Sequence, residues 1–269
     1  MAELKALQAH LASYGSLALG YSGGVDSSLL AVAARQALGR DHFLAVIGRS
    51  ASYPAAQYDA ARELAARFDV PLLEIDTFEL ADPRYQANTP DRCYFCKSEL
   101  WDRLAQVADE RGIAVVADGT NADDLGEHRP GLRAASERRV RSPLAELGWT
   151  KDDVRAAARE LELPIWDAPA APCLSSRLRY GLAVTPERLR QVEEAEEFLR
   201  GLGVAGDLRV RHLGGSARIE VAPAEMPIVQ AAWDAVGERF TMLGFTGVEL
   251  DPRGYRRGSL LSALERAGG

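Results

Sequence analysis

Cysteine, histidine and methionine are scarce in this chain: 269 residues carry three Cys, four His and three Met. Three thiols are too few, and of the wrong parity, to knit a disulfide scaffold; they suit reduced side chains with a chemical task. No apolar run approaches the length that spans a bilayer. The start, Met1-Ala2-Glu3-Leu4-Lys5-Ala6, has no leader pattern, so a cytoplasmic protein without a membrane partner is expected. Positive charge is in deficit, with 32 Lys and Arg against 39 Asp and Glu and a net charge of −7. That balance speaks against a dedicated nucleic-acid binder and leaves room only for a local basic groove. Two nucleotide signatures are missing as well: there is no Gly-x-x-x-x-Gly-Lys frame, and no Gly-x-Gly-x-x-Gly at the first turn. What remains, 47% hydrophobic and 26% charged residues, is the composition of a folded globular chain. Its length suits one large α/β domain or a domain with an appendage.

The stretch that organises the rest is Tyr21-Ser22-Gly23-Gly24-Val25-Asp26-Ser27-Ser28. An apolar run, residues 16–20, precedes it and reads as a buried strand. Leu29-Leu30-Ala31-Val32-Ala33-Ala34 follows and reads as a helix. A turn of small residues between strand and helix gathers free backbone N–H groups at the positive end of a helix dipole, which makes an anion site. Gly23 and Gly24 let the backbone approach a ligand closely, and Ser22, Ser27 and Ser28 add hydroxyl donors. Asp26 repels a bare phosphate, so it makes best sense holding a magnesium ion that bridges phosphate oxygens. An ordinary strand–turn–helix junction capped by Ser or Asp is the plainer alternative.

The elements around this turn alternate. Residues 3–13 form a short amphipathic helix with Leu4, Leu7 and Leu11 on one face. Residues 43–48, 70–75 and 113–118 read as buried strands, and residues 54–68 as a helix with Pro54 at its start. The order βαβαβ predicts a parallel, doubly wound sheet with ligands at the carboxyl ends of its strands. Ser50, just past the second strand, stands where a nucleotide base meets backbone, or is a plain loop residue. The fourth strand delivers Gly119-Thr120-Asn121-Ala122-Asp123-Asp124 to the same edge. Gly119 is assigned there to the nucleotide and Asp124 to magnesium or substrate, a solvated Asx turn being the alternative. Residues 129–131 read as a turn, 141–144 as an extended piece, and 150–161 as a helix capped at Thr150.

After Thr185-Pro186 the texture changes. A helix over 187–202, strands over 206–212 and 217–221 joined at Gly214-Gly215, a helix over 227–239 and a strand over 245–250 make a small α+β domain. Two domains are therefore expected, 1–183 for the nucleotide and 184–269 for substrate or self-association, hinged near 181–186. Arg209 and Arg211 alternate along a strand and share a face, which suits a phosphate or simply solvent. The tail Gly254-Tyr255-Arg256-Arg257-Gly258-Ser259 is basic.

The thiols fall in two places. Cys93 and Cys96 stand at i and i+3 near the start of a helix that Asp91 caps and that runs to Arg111, so both project from one face. The spacing suits zinc or an iron–sulfur cluster; two small buried hydrophobes, or a redox pair, are the alternatives. Cys173 lies in a Pro/Ala-rich loop, Pro172-Cys173-Leu174-Ser175-Ser176-Arg177. There Arg177 and Arg179 favour a thiolate, and an inert loop cysteine is the alternative.

The glycine turn resembles the pyrophosphate loop of the N-type ATP pyrophosphatases, which split ATP between its α and β phosphates and adenylate an oxygen. With residues 92–97, 118–124 and 172–177, Arg209-Val210-Arg211 and Gly254-Tyr255-Arg256, the chain resembles the LarE-type ATP-dependent sulfur transferases over nearly its whole length. That resemblance implies adenylation of a carboxylate of pyridinium-3,5-biscarboxylic acid mononucleotide and sulfur insertion to a thiocarboxylate, on the way to the nickel-pincer cofactor of lactate racemase. It implies ATP and Mg2+, with Ser22, Gly23, Gly24, Asp26, Ser27, Ser50 and Gly119 around the nucleotide. It places Arg209 and Arg211 on the substrate's phosphate, and Trp101 and Asp124 near the substrate. Two sulfur sources occur in such a family: a single sacrificed cysteine, here Cys173, or a 4Fe–4S cluster on three cysteines, here Cys93, Cys96 and Cys173. Three ligands for four irons leave one iron open for a donor sulfide, so the cluster form is favoured. The sulfide supplier is left open and a homo-oligomer is expected. The rivals are a tRNA thiolase, an ammonia-using NAD or GMP synthetase, and a nucleotide-binding module without catalysis.

Overall fold

The computed structural model describes residues 2–126, 130–170 and 172–256. Contacts divide the chain into two compact units: residues 1–79 with 93–171, and residues 80–92 with 172–269.

In the first unit, α1 (Ala2–Ala12), β1 (Leu17–Gly20), α2 (Val25–Leu38), β2 (Phe43–Arg49), α3 (Ala55–Arg67) and β3 (Leu72–Asp76) follow one another. A short helix, α4 (Pro83–Gln86), belongs to the second unit. The chain returns through α5 (Arg92–Arg111), β4 (Val115–Ala117), α6 (Pro130–Glu137), α7 (Pro143–Glu146) and α8 (Lys151–Glu160). The strands form one parallel sheet in the order β3-β2-β1-β4, with Leu17 level with Phe43 on one side and Val115 on the other. Runs such as Leu17-Ala18-Leu19 and Ala45-Val46-Ile47 are apolar at every position because helices cover both faces. One face packs Leu7, Leu11, Leu29 and Leu30; the other packs Trp101, Leu104, Ala134 and Ala135.

In the second unit, α9 (Pro186–Gly201) starts with Pro in its first turn and a Thr185 side chain that accepts from the Arg188 amide. Then come β5 (Leu208–His212), β6 (Ser216–Val221), α10 (Met226–Ala231), α11 (Trp233–Met242) and β7 (Gly247–Leu250). β5 and β6 pair antiparallel, and β7 lies parallel to β6. Leu199, Val210, Ile219, Val236 and Phe240 fill the core against the sheet.

Several local expectations need correction. Pro130 opens α6 where a turn was expected, and Arg129 lies outside the described residues. Residues 141–144 are not a continuous extended piece: Arg141 bridges to Ala117, and Pro143 then starts α7. Residues 227–239 are not one helix but two, broken at Ala232. The expected strands at 70–75, 113–118 and 245–250 are shorter, because Val70, Ile113 and Phe245 spend their amides closing the preceding helices on Ala65, Ala108 and Phe240. Of the basic tail, Arg257, Gly258 and Ser259 lie outside the described residues. No described helix is long and apolar enough to cross a membrane.

Candidate active site

β1 is the strand at which the winding reverses, with β2 and β3 on one side and β4 on the other. Loops leaving β1 and β4 therefore diverge at one edge, which is where sheets of this kind take ligands.

The loop after β1 is tightly built. The Tyr21 hydroxyl donates to the Ala61 carbonyl at 3.0 Å, which fixes the chain against α3. Gly23 takes a φ of +65°, the left-handed region that glycine enters without a Cβ penalty. Gly24 caps α2 with no side-chain acceptor, so the first-turn amides of the helix keep their donors for something else. Ser27 organises the loop: its hydroxyl donates to the Gly24 carbonyl at 3.1 Å and accepts from the Ser22 amide at 3.2 Å. The Ser22 and Ser27 hydroxyls are 3.1 Å apart.

The loop after β4 lies directly against this turn. A Cβ on Gly119 would stand 2.9 Å from the Ser27 amide nitrogen, so the close approach requires glycine. Next to it Asn121, fully buried, donates from Nδ2 to Asp26 Oδ1 at 2.6 Å. The Asn121 Oδ1 accepts from the Asp123 amide at 3.1 Å, and its own amide donates to Asp124 Oδ2 at 3.3 Å. Lys151 at the start of α8 sets its Nζ 3.4 Å from Asp124 Oδ1. Burial raises the pKa of Asp26, and the charge of Asp124 adds to the rise; the Asn121 bond and Lys151 pull the other way. Two carboxylates, one desolvated beside the other, are a hard-oxygen set suited to Mg2+. Asn121 and Lys151 were not singled out from the sequence; the only hint was their place beside Asp124 and in the capping box of Thr150 and Asp153.

The other first-unit residues sit elsewhere. The Ser50 hydroxyl donates to buried Glu79 and lies 2.9 Å from the Ser52 hydroxyl. Trp101 is buried with its ring against Gly20, and the Lys97 ammonium stands 5.1 Å from the ring centroid. Cys93, exposed, and Cys96, half-buried, occupy the first turns of α5, and neither is in a disulfide.

In the second unit Cys173 precedes a short 3-10 turn, Leu174–Arg177. Its carbonyl accepts from the Ser176 amide at 3.0 Å and the Ser176 hydroxyl at 2.7 Å. The buried Arg177 guanidinium pairs with Glu196 through two 3.0 Å bonds, so its charge is already matched by a carboxylate. Residues 80–92 hold the loop: the Tyr85 and Ser175 hydroxyls are 2.6 Å apart, and Arg92 donates to the Ser175 carbonyl at 2.8 Å. Buried Asn88 donates to the Arg179 and Leu182 carbonyls, both at 2.9 Å. On β5, Arg211 pairs with buried Glu220 at 2.9 Å and donates to the Ser176 carbonyl at 3.1 Å. Arg209, also buried, lies under the Tyr255 ring at 5.2 Å, and burial together with the Arg177 charge lowers its pKa. Arg209 and Arg211 thus share a buried neighbourhood, while the three thiols are divided between the units. Among the described residues no group of three or more His, Cys, Asp or Glu side chains is placed to hold a metal ion.

Comparison with known proteins gives these relationships. The family described as NAD synthase matches residues 4–104. An uncharacterised protein of Synechocystis is 42% identical over 250 residues, 92% of each chain. The pyridinium-3,5-bisthiocarboxylic acid mononucleotide synthase of Lactiplantibacillus plantarum is 36% identical over 261 residues, 97% of this chain and 94% of that one. An uncharacterised protein of Methanocaldococcus jannaschii is 32% identical over 238 residues, 88% and 90% of the two chains.

Proposed function

Because the chain belongs to the LarE-type ATP-dependent sulfurtransferases, we infer that it adenylates a carboxylate of a pyridinium-3,5-biscarboxylic acid mononucleotide and replaces the activated oxygen with sulfur. The observation that carries this reading is the uncapped glycine turn with Asp26 bonded to Asn121 beside it. A carboxylate is a poor electrophile because its oxygen leaves badly. Transfer to the α-phosphate of ATP makes that oxygen part of AMP, a good leaving group, and a soft sulfur then attacks the carbon.

Each residue has a task in this scheme. The amides of the turn and the hydroxyls of Ser22 and Ser27 bind the phosphates that depart as pyrophosphate. Asp26 and Asp124 hold Mg2+, which when bound neutralises the charge growing on those phosphates. Gly119 lets the second loop close on the first, and Ser50 meets the nucleotide at the end of β2. Arg209 and Arg211 take the substrate's own phosphate in the second unit.

For the sulfur, Cys93, Cys96 and Cys173 would hold a 4Fe–4S cluster, three thiolates for four irons, and such a cluster when bound would supply the donor sulfide. Support comes from the donor set, since these are the three cysteines of the chain. A second reading rests on Cys173, a half-buried thiol outside any disulfide. In it the Cys173 thiolate attacks the acyl adenylate and expels AMP. Loss of the Cα proton then breaks the Cβ–Sγ bond, which releases thiocarboxylate and leaves dehydroalanine. Anaerobic purification and mass spectrometry after one turnover separate the two. Iron near four per chain with an intact Cys173 supports the cluster; iron-free protein lighter by one molecule of hydrogen sulfide at Cys173 supports the sacrificial route. Failure to form AMP and pyrophosphate with the bis-acid refutes both.

A further inference from the structure

The side of the glycine turn that faces α3 carries a contact the scheme above does not use. The Ser22 carbonyl accepts from the Tyr53 hydroxyl at 2.7 Å and from Gln57 Nε2 at 3.3 Å. The Ser22–Gly23 peptide is trans, as are all those among the described residues. In a trans peptide the C=O and N–H of the same plane point in opposite directions. Two donors that hold the Ser22 oxygen toward α3 therefore aim the Gly23 N–H away from α3. No described residue accepts from that N–H. Gly23 takes up the left-handed conformation that goes with this orientation without a Cβ penalty.

We propose that Tyr53 and Gln57 are positioning residues that grip the Ser22 carbonyl so that the Gly23 N–H is held as a preorganised donor to the pyrophosphate moiety. The inference rests on the reading of this turn as the phosphate cradle. Two further observations agree with it. Burial raises the pKa of the Tyr53 hydroxyl, with the neighbouring Tyr21 and Tyr58 adding to the rise, so Tyr53 stays a donor at any working pH. Gln57 Oε1 is buried with no partner among the described residues. An unsatisfied amide oxygen is a cost to the fold, so Gln57 is not kept for stability alone.

Gln57→Leu decides the matter, because it removes both the orphaned oxygen and the grip. Titration calorimetry of the full chain with inorganic pyrophosphate and Mg2+ reads the cradle directly. Wild type should bind, while Gln57→Leu and Tyr53→Phe should each bind about three- to tenfold more weakly, the size of one neutral hydrogen bond. The melting temperature of Gln57→Leu should stay level or rise. In the steady state the KM for ATP should rise with kcat within about twofold, the mark of an interaction present before and during the reaction. Equal pyrophosphate affinity in wild type and variants overturns the positioning role. So does weaker binding of Gln57→Leu that comes with a falling melting temperature. No pyrophosphate binding by wild type overturns the cradle itself, and the inference with it.

Discussion

Gly23→Ala tests how tightly the turn is built. The substitution meets two separate penalties. Gly23 has φ at +65°, and an L-residue in the left-handed region costs about 1–2 kcal/mol. The new Cβ would also stand 2.5 Å from the Ala61 Cβ and 3.2 Å from its Cα. Ala61 is buried in the core, so no flexible side chain end can swing aside; the turn or α3 must move until carbon atoms are about 3.5–4 Å apart. Overpacking of this kind costs about 1–3 kcal/mol. The sum, about 2–5 kcal/mol, is a large part of a total stability of about 5–15 kcal/mol. Ala61→Gly removes the 2.5 Å contact, leaves the milder one to the backbone Cα and the dihedral strain, and itself costs about 1 kcal/mol for glycine inside a helix. Urea unfolding of wild type, both single variants and the double variant closes the cycle. The double variant should be more stable than the sum of the singles predicts, by about 1–3 kcal/mol. A Gly23→Ala protein within about 0.5 kcal/mol of wild type would show that the turn moves freely, and additivity within that margin would remove the collision from the account.

Asp26→Asn keeps an acceptor for Asn121 but removes the charge meant for Mg2+, so pyrophosphate release should fall by about 10²–10³; activity within threefold of wild type refutes the metal role. Because burial raises the Asp26 pKa in the folded state, its proton favours folding below the ordinary carboxylate range, and that contribution is lost as pH rises through the raised value. In metal-free buffer at neutral pH the Asn variant should therefore melt higher than wild type, with the gap closing in acid; a lower melting temperature at pH 7 contradicts the desolvation argument. Glu220→Gln strips the partner from buried Arg211 and should cost about 3–5 kcal/mol in urea unfolding, whereas Arg211→Met with Glu220→Leu should cost less than that; a near-neutral single variant would mean the pair is not desolvated.

The parallel sheet was legible because β1 and β2 are apolar at successive positions and small-residue turns punctuate them. The edges of elements were not, because tertiary contacts set them. Ile113 reads as strand, yet its amide closes α5 on Ala108. Pro130-Gly131 reads as a turn, yet proline suits a helix start. The missing Gly131 side chain lets the helix lie against the Lys97 stem, since a Cβ there would be 3.1 Å from Lys97 Cγ. Residues 80–92 carry no periodicity, so nothing local announced that Tyr85, Asn88 and Arg92 would fasten the Cys173 loop.

The site divides along the same line between topology and side-chain contact. Strand order alone predicts that the loops of Asp26 and Asp124 meet at one edge. It does not predict that Asn121, 95 positions along the chain from Asp26, is the residue that joins them. The same distinction explains Arg209 and Arg211. Alternation along a strand establishes that they share a face, but period two is silent about whether that face meets water. All five residues of β5 are buried, and buried guanidiniums persist only where acceptors surround them. Arg211 finds Glu220 and the Ser176 carbonyl, and Arg209 finds the Leu208 carbonyl and the Tyr255 ring. Apart from the Leu208 carbonyl of β5 itself, these partners come from β6, the Cys173 loop and the segment of Tyr255, which no local pattern ties to β5. A lowered Arg209 pKa follows from that crowding, since burial and Arg177 both oppose its charge. A phosphate arriving beside Arg209 would relieve that opposition, and this is the physical argument behind the proposal that the pair takes the substrate's phosphate.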